Sequence, residues 1–89
     1  MPYTIELKPS AYRILSKLPK EVQRSIRSRI DSLADNPFPP NVKKLMEEQN
    51  LYRIRVGDYW IVYQVNRKTL FVLVVTIGHR REVYKRLKR

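Results

Sequence analysis

The sequence contains no cysteine and only two glycines among its 89 residues. The absence of cysteine excludes a disulfide scaffold, a thiolate zinc site, an iron–sulfur cluster and a cysteine nucleophile. No apolar run approaches the roughly 18 residues that a membrane-spanning helix requires, and the first residues lack the charged and apolar regions of a signal peptide. From these absences we expect a cytoplasmic protein.

Acidic residues are also scarce, because 8 Asp and Glu stand against 19 Lys and Arg, for a net charge of +11. So large a charge on a short chain indicates a polyanionic partner. The excess is uneven: residues 1–36 and 37–78 each carry +3, whereas residues 79–89 carry +5. The apolar content of 43% supplies one hydrophobic core, so we expect a single domain over residues 1–89.

The N-terminal part combines a strand pattern with two helix patterns. Residues 3–8 alternate apolar and polar side chains, which is the period of a half-buried strand. Apolar residues then recur at helical spacing over 10–18 and 22–33, with Pro19 between the two segments. These segments predict an antiparallel helical hairpin, whose second helix ends near Asn36-Pro37 because the residue before proline avoids the α region.

The pattern changes to strands in the second half of the chain, where β-branched and aromatic residues are frequent. Gly78 is expected to end the last strand, and a terminal helix is expected after it. The sequence therefore predicts an α+β fold with an N-terminal strand, a two-helix antiparallel hairpin, a mostly antiparallel four-stranded sheet and a short C-terminal helix. The strands of this sheet are expected at residues 42–46, 51–56, 59–65 and 70–77, and the last helix at 80–87.

A group of basic and aromatic residues is predicted on one face of the sheet. If Gly57-Asp58 is a two-residue turn, Arg55 pairs with Trp60, and Arg53 lies on the same face. Guanidinium groups hold phosphates and aromatic faces stack bases, so this grouping suits unstacked nucleotides. The alternative is that Trp60 belongs to the core and the arginines lie at the sheet rim.

The remaining residue types exclude several kinds of catalysis. The eight acidic residues are scattered, whereas metal-dependent nucleases gather carboxylates around a divalent ion. The single histidine and the absence of a nucleophile-elbow motif argue against a serine hydrolase, and no glycine-rich loop could cradle a nucleotide phosphate. Metal-free acid–base chemistry on RNA is the option that remains, and no cofactor is expected.

Residues 78–84 offer candidates for that chemistry. His79 is the only side chain that would titrate near neutral pH without help. Arg80 or Arg81 could neutralise charge on a phosphate, and Tyr84 lies one helical turn beyond them, where its phenol could stack or transfer a proton. A structural role for His79 and a buried position for Tyr84 are the alternatives, so the identity of the general base stays open.

Three segments, LYRIRVGDY at 51–59, VYQV at 62–65 and VTIGHRREVY at 75–84, carry a resemblance to a known family. Together with the helical segments around Leu18-Pro19 and Asn36-Pro37, they resemble the RelE/ParE superfamily of toxins from bacterial and archaeal toxin–antitoxin systems. The resemblance is nearer to the RelE branch and covers almost the whole chain. It implies the RelE-like form of the α+β fold predicted above.

The resemblance to RelE implies a type II toxin that enters the ribosomal A site and cleaves mRNA without a metal, leaving a 2′,3′-cyclic phosphate. It also implies an acidic, RelB-like antitoxin that covers the basic cleft or displaces the C-terminal helix. By position it makes Arg80 the arginine that stabilises the transition state and Tyr84 the stacking or acid tyrosine. The residues expected to bind RNA or the ribosome are Lys43, Lys44, Arg53, Arg55, Trp60, Lys85 and Arg86.

The sequence departs from the resembled family at one position. The family commonly has an arginine after the strand tyrosine, as in Gly-Asp-Tyr-Arg, and this chain has Trp60 there. Three consequences stay open: slower cleavage, cleavage that relies on His79 and Arg81, or a non-cleaving member that only binds. A further alternative is a ParE-type toxin that binds DNA gyrase and has no RNA chemistry.

Overall fold

The computed structural model describes residues 2–46 and 49–87, apart from the side chains of Met46, Tyr84, Arg86 and Leu87. It confirms the α+β class and the predicted order of elements. The elements are β1 (Thr4–Leu7), α1 (Pro9–Lys17), α2 (Lys20–Ser32), β2 (Lys43–Met46), β3 (Leu51–Val56), β4 (Tyr59–Asn66), β5 (Phe71–His79) and α3 (Arg80–Leu87).

The strands form one five-stranded sheet in the order β1-β5-β4-β3-β2. Strand β1 pairs in parallel with β5, and the other three pairings are antiparallel. The N-terminal strand therefore extends the predicted four-stranded sheet to five strands. This parallel pairing is possible because α1 and α2 form part of the long connection that parallel neighbours require. Strand β5 lies inside the sheet, in agreement with its apolar residues on both faces.

The two faces of the sheet are covered unequally. One face, which we call the core face, carries Tyr52, Ile54 and Ile61 and contributes to the main hydrophobic core. The other, which we call the basic face, carries Arg53, Arg55 and Trp60. The helical hairpin supplies the other side of the main core through buried residues of α1 and α2 and one residue just after α2: Ala11, Leu15, Ile26, Ile30 and Leu33.

Among the described side chains of helix α3, Val83 is the one that is buried, and it packs on the basic face. Val83 is fully buried and forms a small second cluster with Leu51 and Val62. Half-buried Trp60 packs against this cluster.

The predicted starts of β2 and β5 and the predicted end of β4 each differ from the structure by one residue, and two other predicted boundaries are wrong by more. Helix α2 ends at Ser32 rather than near Asn36-Pro37, because the following N–H groups form tightened turns and Asn36 Oδ1 accepts the N–H of Phe38. Strand β5 runs through Gly78 to His79, because Trp60 pairs with Gly78 and continues the ladder. By contrast, β3 and α3 have the predicted bounds.

A buried hydrogen bond ties the loop after α2 to the centre of the sheet. The hydroxyl of Tyr63 donates to the carbonyl oxygen of Pro37 at 2.7 Å. Phe38 meets Tyr52 edge-on, and Tyr52 stacks on Tyr63 with a centroid distance of 6.0 Å. Burial raises the pKa of Tyr63 well above its ordinary value near 10, and the electrostatic effect of the neighbouring Tyr52 raises it further by a smaller amount.

Replacing Tyr63 by phenylalanine is expected to lower the free energy of unfolding by about 1–3 kcal/mol, because the buried carbonyl of Pro37 loses its donor. Denaturant unfolding at neutral pH measures this change. The pH dependence gives a second readout. Since the pKa of Tyr63 is higher in the folded state, its contribution is intact below pH of about 10 and is lost progressively as the pH rises above that value.

The stability of Tyr63→Phe should therefore fall less steeply than that of the wild type above pH of about 10. The exposed Tyr12 is the matched control, because Tyr12→Phe removes a hydroxyl from a side chain that is 56% exposed. Equal alkaline slopes for Tyr63→Phe and the wild type would show that this phenol does not govern alkaline stability.

Candidate nucleic-acid interface

The basic face contains an open cleft of about 1110 Å³ at the end where β3, β4 and α3 meet. Six of its lining residues are cationic, one is aromatic, and no acidic residue of the described ranges lines it. Such a surface attracts phosphate groups and repels none of them. The lining residues are Asn41, Lys43, Arg53, Arg55, Gly57, Trp60, Arg80, Arg81 and Lys85.

The strand register brings the cleft's sheet residues together. Arg55 pairs with Trp60, as the two-residue turn at Gly57-Asp58 predicts, and Lys43 pairs with Arg53 across the next ladder. The turn is made possible by Gly57, whose φ of 60° costs glycine little. The predicted grouping of Arg53, Arg55 and Trp60 on one face is confirmed.

Trp60 has a double role in the cleft wall. Its ring packs partly against the small cluster around Val83, and the guanidinium of Arg53 lies 4.0 Å from the ring centroid. A guanidinium stacked on an indole gains a cation–π attraction and is held in one plane. The indole thus supports Arg53, and a guanidinium held in this way has a planar surface of the kind on which bases can stack.

Arg55 lies at the mouth of the cleft, beside the turn. Its side chain is exposed, and its Nε donates to the carbonyl oxygen of Gly57 at 2.8 Å. This bond fixes the direction of the side chain, because it closes a short ring between the strand end and the turn. The terminal nitrogens of the guanidinium remain available for a phosphate.

Helix α3 contributes the remaining cations from its exposed side. Arg80, Arg81 and Lys85 line the cleft and are exposed, while Val83 is buried against the sheet. The N–H of Arg80 donates to the carbonyl oxygen of Asp58 at 3.3 Å, which joins the helix start to the β3–β4 turn. The predicted site residues Tyr84 and Arg86 belong to α3, but their side chains lie outside the described set.

Two predicted site residues are not brought to the cleft. His79 pairs with Tyr59, whose side chain packs against the core face, and their rings meet edge-on at 6.0 Å. Lys44 pairs with Tyr52, and its Nζ lies 5.7 Å from that ring centroid. Successive strand residues point to opposite faces of the sheet. Gly78 and Lys43 belong to the basic face, so their neighbours His79 and Lys44 belong to the core face.

The cleft also includes a residue that the sequence did not indicate. Asn41, in the loop before β2, lines the cleft. It carries no charge and stands in no periodic segment, so no sequence signal could have identified it. Within residues 2–46 and 49–87, no group of three or more His, Cys, Asp or Glu side chains could hold a metal ion.

The described part of the chain contains no helix long and apolar enough to cross a membrane.

An α+β fold with a cleft lined by six cations belongs to the class of proteins whose surface suits a polyanion. Comparison with known families narrows this class, because the profile of the ParE toxin of type II toxin–antitoxin systems, parDE, matches residues 5–84. The chain belongs to this RelE/ParE toxin superfamily and is RelE-like.

The relatives support the RelE-like assignment. A RelE-like toxin protein of Escherichia coli is 30% identical over 82 residues, covering 90% of this chain and 85% of that protein. The archaeal RelE–RelB complex of Pyrococcus horikoshii OT3 aligns with a TM-score of 0.81 at 30% identity, covering 90% of this chain and 97% of that one. The toxin–antitoxin complex RelBE2 of Mycobacterium tuberculosis aligns with a TM-score of 0.77 at 26% identity, covering 90% of this chain and 100% of that one.

Proposed function

We propose that this toxin is a ribosome-dependent mRNA endoribonuclease that cleaves through the 2′-hydroxyl of its substrate without a metal ion. The observation that carries the proposal is the cleft, where six cations and Trp60 gather on one face with no acidic lining residue in the described ranges. A pentavalent phosphate has more negative charge than the ground state, so preorganised cations lower its energy selectively.

The cleft residues would divide the work by position. Arg80 and Arg81, at the start of α3, would neutralise the phosphate that undergoes cleavage. The stacked guanidinium of Arg53 would hold the adjacent base and phosphate, as its position 4.0 Å from the Trp60 ring favours. Tyr84, one helical turn after Arg80, would stack on a base or give a proton to the departing 5′-oxygen.

The partner that restrains this activity would be an acidic, RelB-like antitoxin. The Pyrococcus horikoshii and Mycobacterium tuberculosis relatives are both seen in complex with their antitoxins. A cleft with a strong positive field suits an acidic chain as well as RNA, so the antitoxin would compete for the same surface.

The test is cleavage of a defined mRNA in a purified translation system, with the ends mapped by primer extension. We expect cuts only in the presence of ribosomes, with 2′,3′-cyclic phosphate ends. A message carrying a 2′-deoxynucleotide at the cleaved position should stay intact, because it lacks the nucleophile. Equal cleavage of both messages would exclude the 2′-hydroxyl mechanism.

A second candidate is a ParE-type toxin that acts on DNA gyrase, and the match to the ParE toxin profile favours it. The two candidates differ in which polymer is damaged when the protein is induced in cells. A gyrase poison gives DNA breaks and leaves the message intact. Cut message with intact DNA supports the endoribonuclease instead.

A further inference from the structure

A second basic groove lies on the other side of the β3–β4 turn from the cleft. It has a volume of about 610 Å³ and separates the exposed side of α2 from the end of β3. Three arginines line it, and no acidic residue of the described ranges does so. Its lining residues are Arg24, Ser25, Ser28, Arg29, Arg55, Val56 and Gly57.

The α2 side of the groove is a strip of one helix face. Arg24 and Ser28 are one helical turn apart, and so are Ser25 and Arg29, which places two guanidiniums and two hydroxyls along the groove. Guanidinium and hydroxyl groups are donors suited to phosphate oxygens. Among the described residues, no aromatic ring lines the groove, so it suits a sugar–phosphate backbone rather than a stacked base.

Arg55 connects the groove to the cleft. It lines both, as does Gly57, and the bond from Arg55 Nε to the Gly57 carbonyl holds the side chain at the boundary between them. A polymer that leaves the cleft past Arg55 and Gly57 therefore meets a second set of cations, and the exposed Asp58 of the same turn lines neither the cleft nor the groove. Arg24 and Arg29 line the groove and do not line the cleft.

We propose that this groove is a second phosphate site, in which Arg24 and Arg29 bind the RNA backbone beyond the nucleotides held in the cleft. The inference rests on the proposed function, because it takes RNA as the polymer in the cleft. It adds a contact that lengthens the bound segment and raises affinity without taking part in the chemistry. An acidic protein segment is the competing occupant, and the test separates the two.

The variant Arg24→Gln/Arg29→Gln removes both charges of α2 from the groove. Its matched control is Arg13→Gln/Arg27→Gln, which lowers the net charge equally at two exposed helix positions outside both pockets. Fluorescence anisotropy would measure binding of single-stranded RNAs of about 3 and about 12 nucleotides at several salt concentrations. Polyglutamate is the acidic-protein probe.

For the longer RNA we expect the groove variant to bind roughly tenfold more weakly than the control variant, with a slope of log K against log salt shallower by about 1.4. The short RNA should bind both variants alike. Equal affinities of the two variants for the longer RNA, or no binding of it by the wild type, would overturn the proposal. A loss confined to polyglutamate would overturn it in favour of an acidic protein partner.

The binding measurement is independent of cleavage. In one outcome, the wild-type protein cuts no message while the groove variant still binds the longer RNA more weakly than the control variant. That result would refute the proposed endoribonuclease activity and support the groove as a phosphate site. A wild type that cuts message while the groove variant binds like its control would refute the groove alone.

Discussion

Arg80→Ala should lower the rate of mRNA cleavage by a factor on the order of 10²–10³ and abolish growth inhibition on induction. The factor is the cost typical of removing one preorganised charge or donor from a developing oxyanion. Arg80 is exposed in the cleft, and its backbone N–H keeps its bond to Asp58 in the variant. The thermal midpoint should therefore stay close to that of the wild type.

Two companion variants sharpen this prediction. Arg27→Ala removes the same charge from an exposed position outside the cleft and should cleave at nearly the wild-type rate. His79→Ala should also have little effect, because His79 pairs with Tyr59 and does not line the cleft. A loss for His79→Ala as large as that for Arg80→Ala would show that the imidazole reaches the substrate after all. Unchanged cleavage by Arg80→Ala would remove this arginine from the mechanism.

The sequence predicts those parts of the fold that depend on local rules. The bounds of β3 follow from the alternation of residues 51–56, and its pairing with β4 follows from the length of the turn at Gly57-Asp58. The parallel pairing of β1 with β5 depends on a contact between distant segments. No local pattern encodes such a contact, so the alternation of residues 3–8 predicts a strand but not its place in the sheet.

The same distinction explains the site. Arg53, Arg55 and Trp60 could be grouped because strand alternation fixes their face once the turn is known. The sequence could not assign His79 to a face of the sheet, because the strand was expected to end at Gly78. Alternation assigns a face only to residues that lie within a strand. The two additional strand residues, Gly78 and His79, put His79 on the side opposite Trp60. The groove that Arg24 and Arg29 form with Arg55 needs the packing of α2 near the end of β3, which no periodicity in α2 reveals.

The second large effect is expected at Trp60. Trp60→Ala removes an indole that packs against the small cluster and lies 4.0 Å from the Arg53 guanidinium. The free energy of unfolding should fall by about 2 kcal/mol, from lost apolar burial and the lost cation–π contact. Cleavage should fall about tenfold or more, because Arg53 loses the ring that orients it. Trp60→Phe retains a ring and should recover part of both losses.

Trp60→Arg decides what this position contributes. The resembled family commonly has arginine here, so a simple charge argument expects the substitution to accelerate cleavage. The structure supports the opposite result, because a third guanidinium beside Arg53 and Arg55 replaces the one aromatic ring among the described lining residues with a like charge. We expect Trp60→Arg to be less stable in denaturant and slower in the translation assay than the wild type. Faster cleavage would mean that position 60 contacts the phosphate directly and that the indole limits the natural activity.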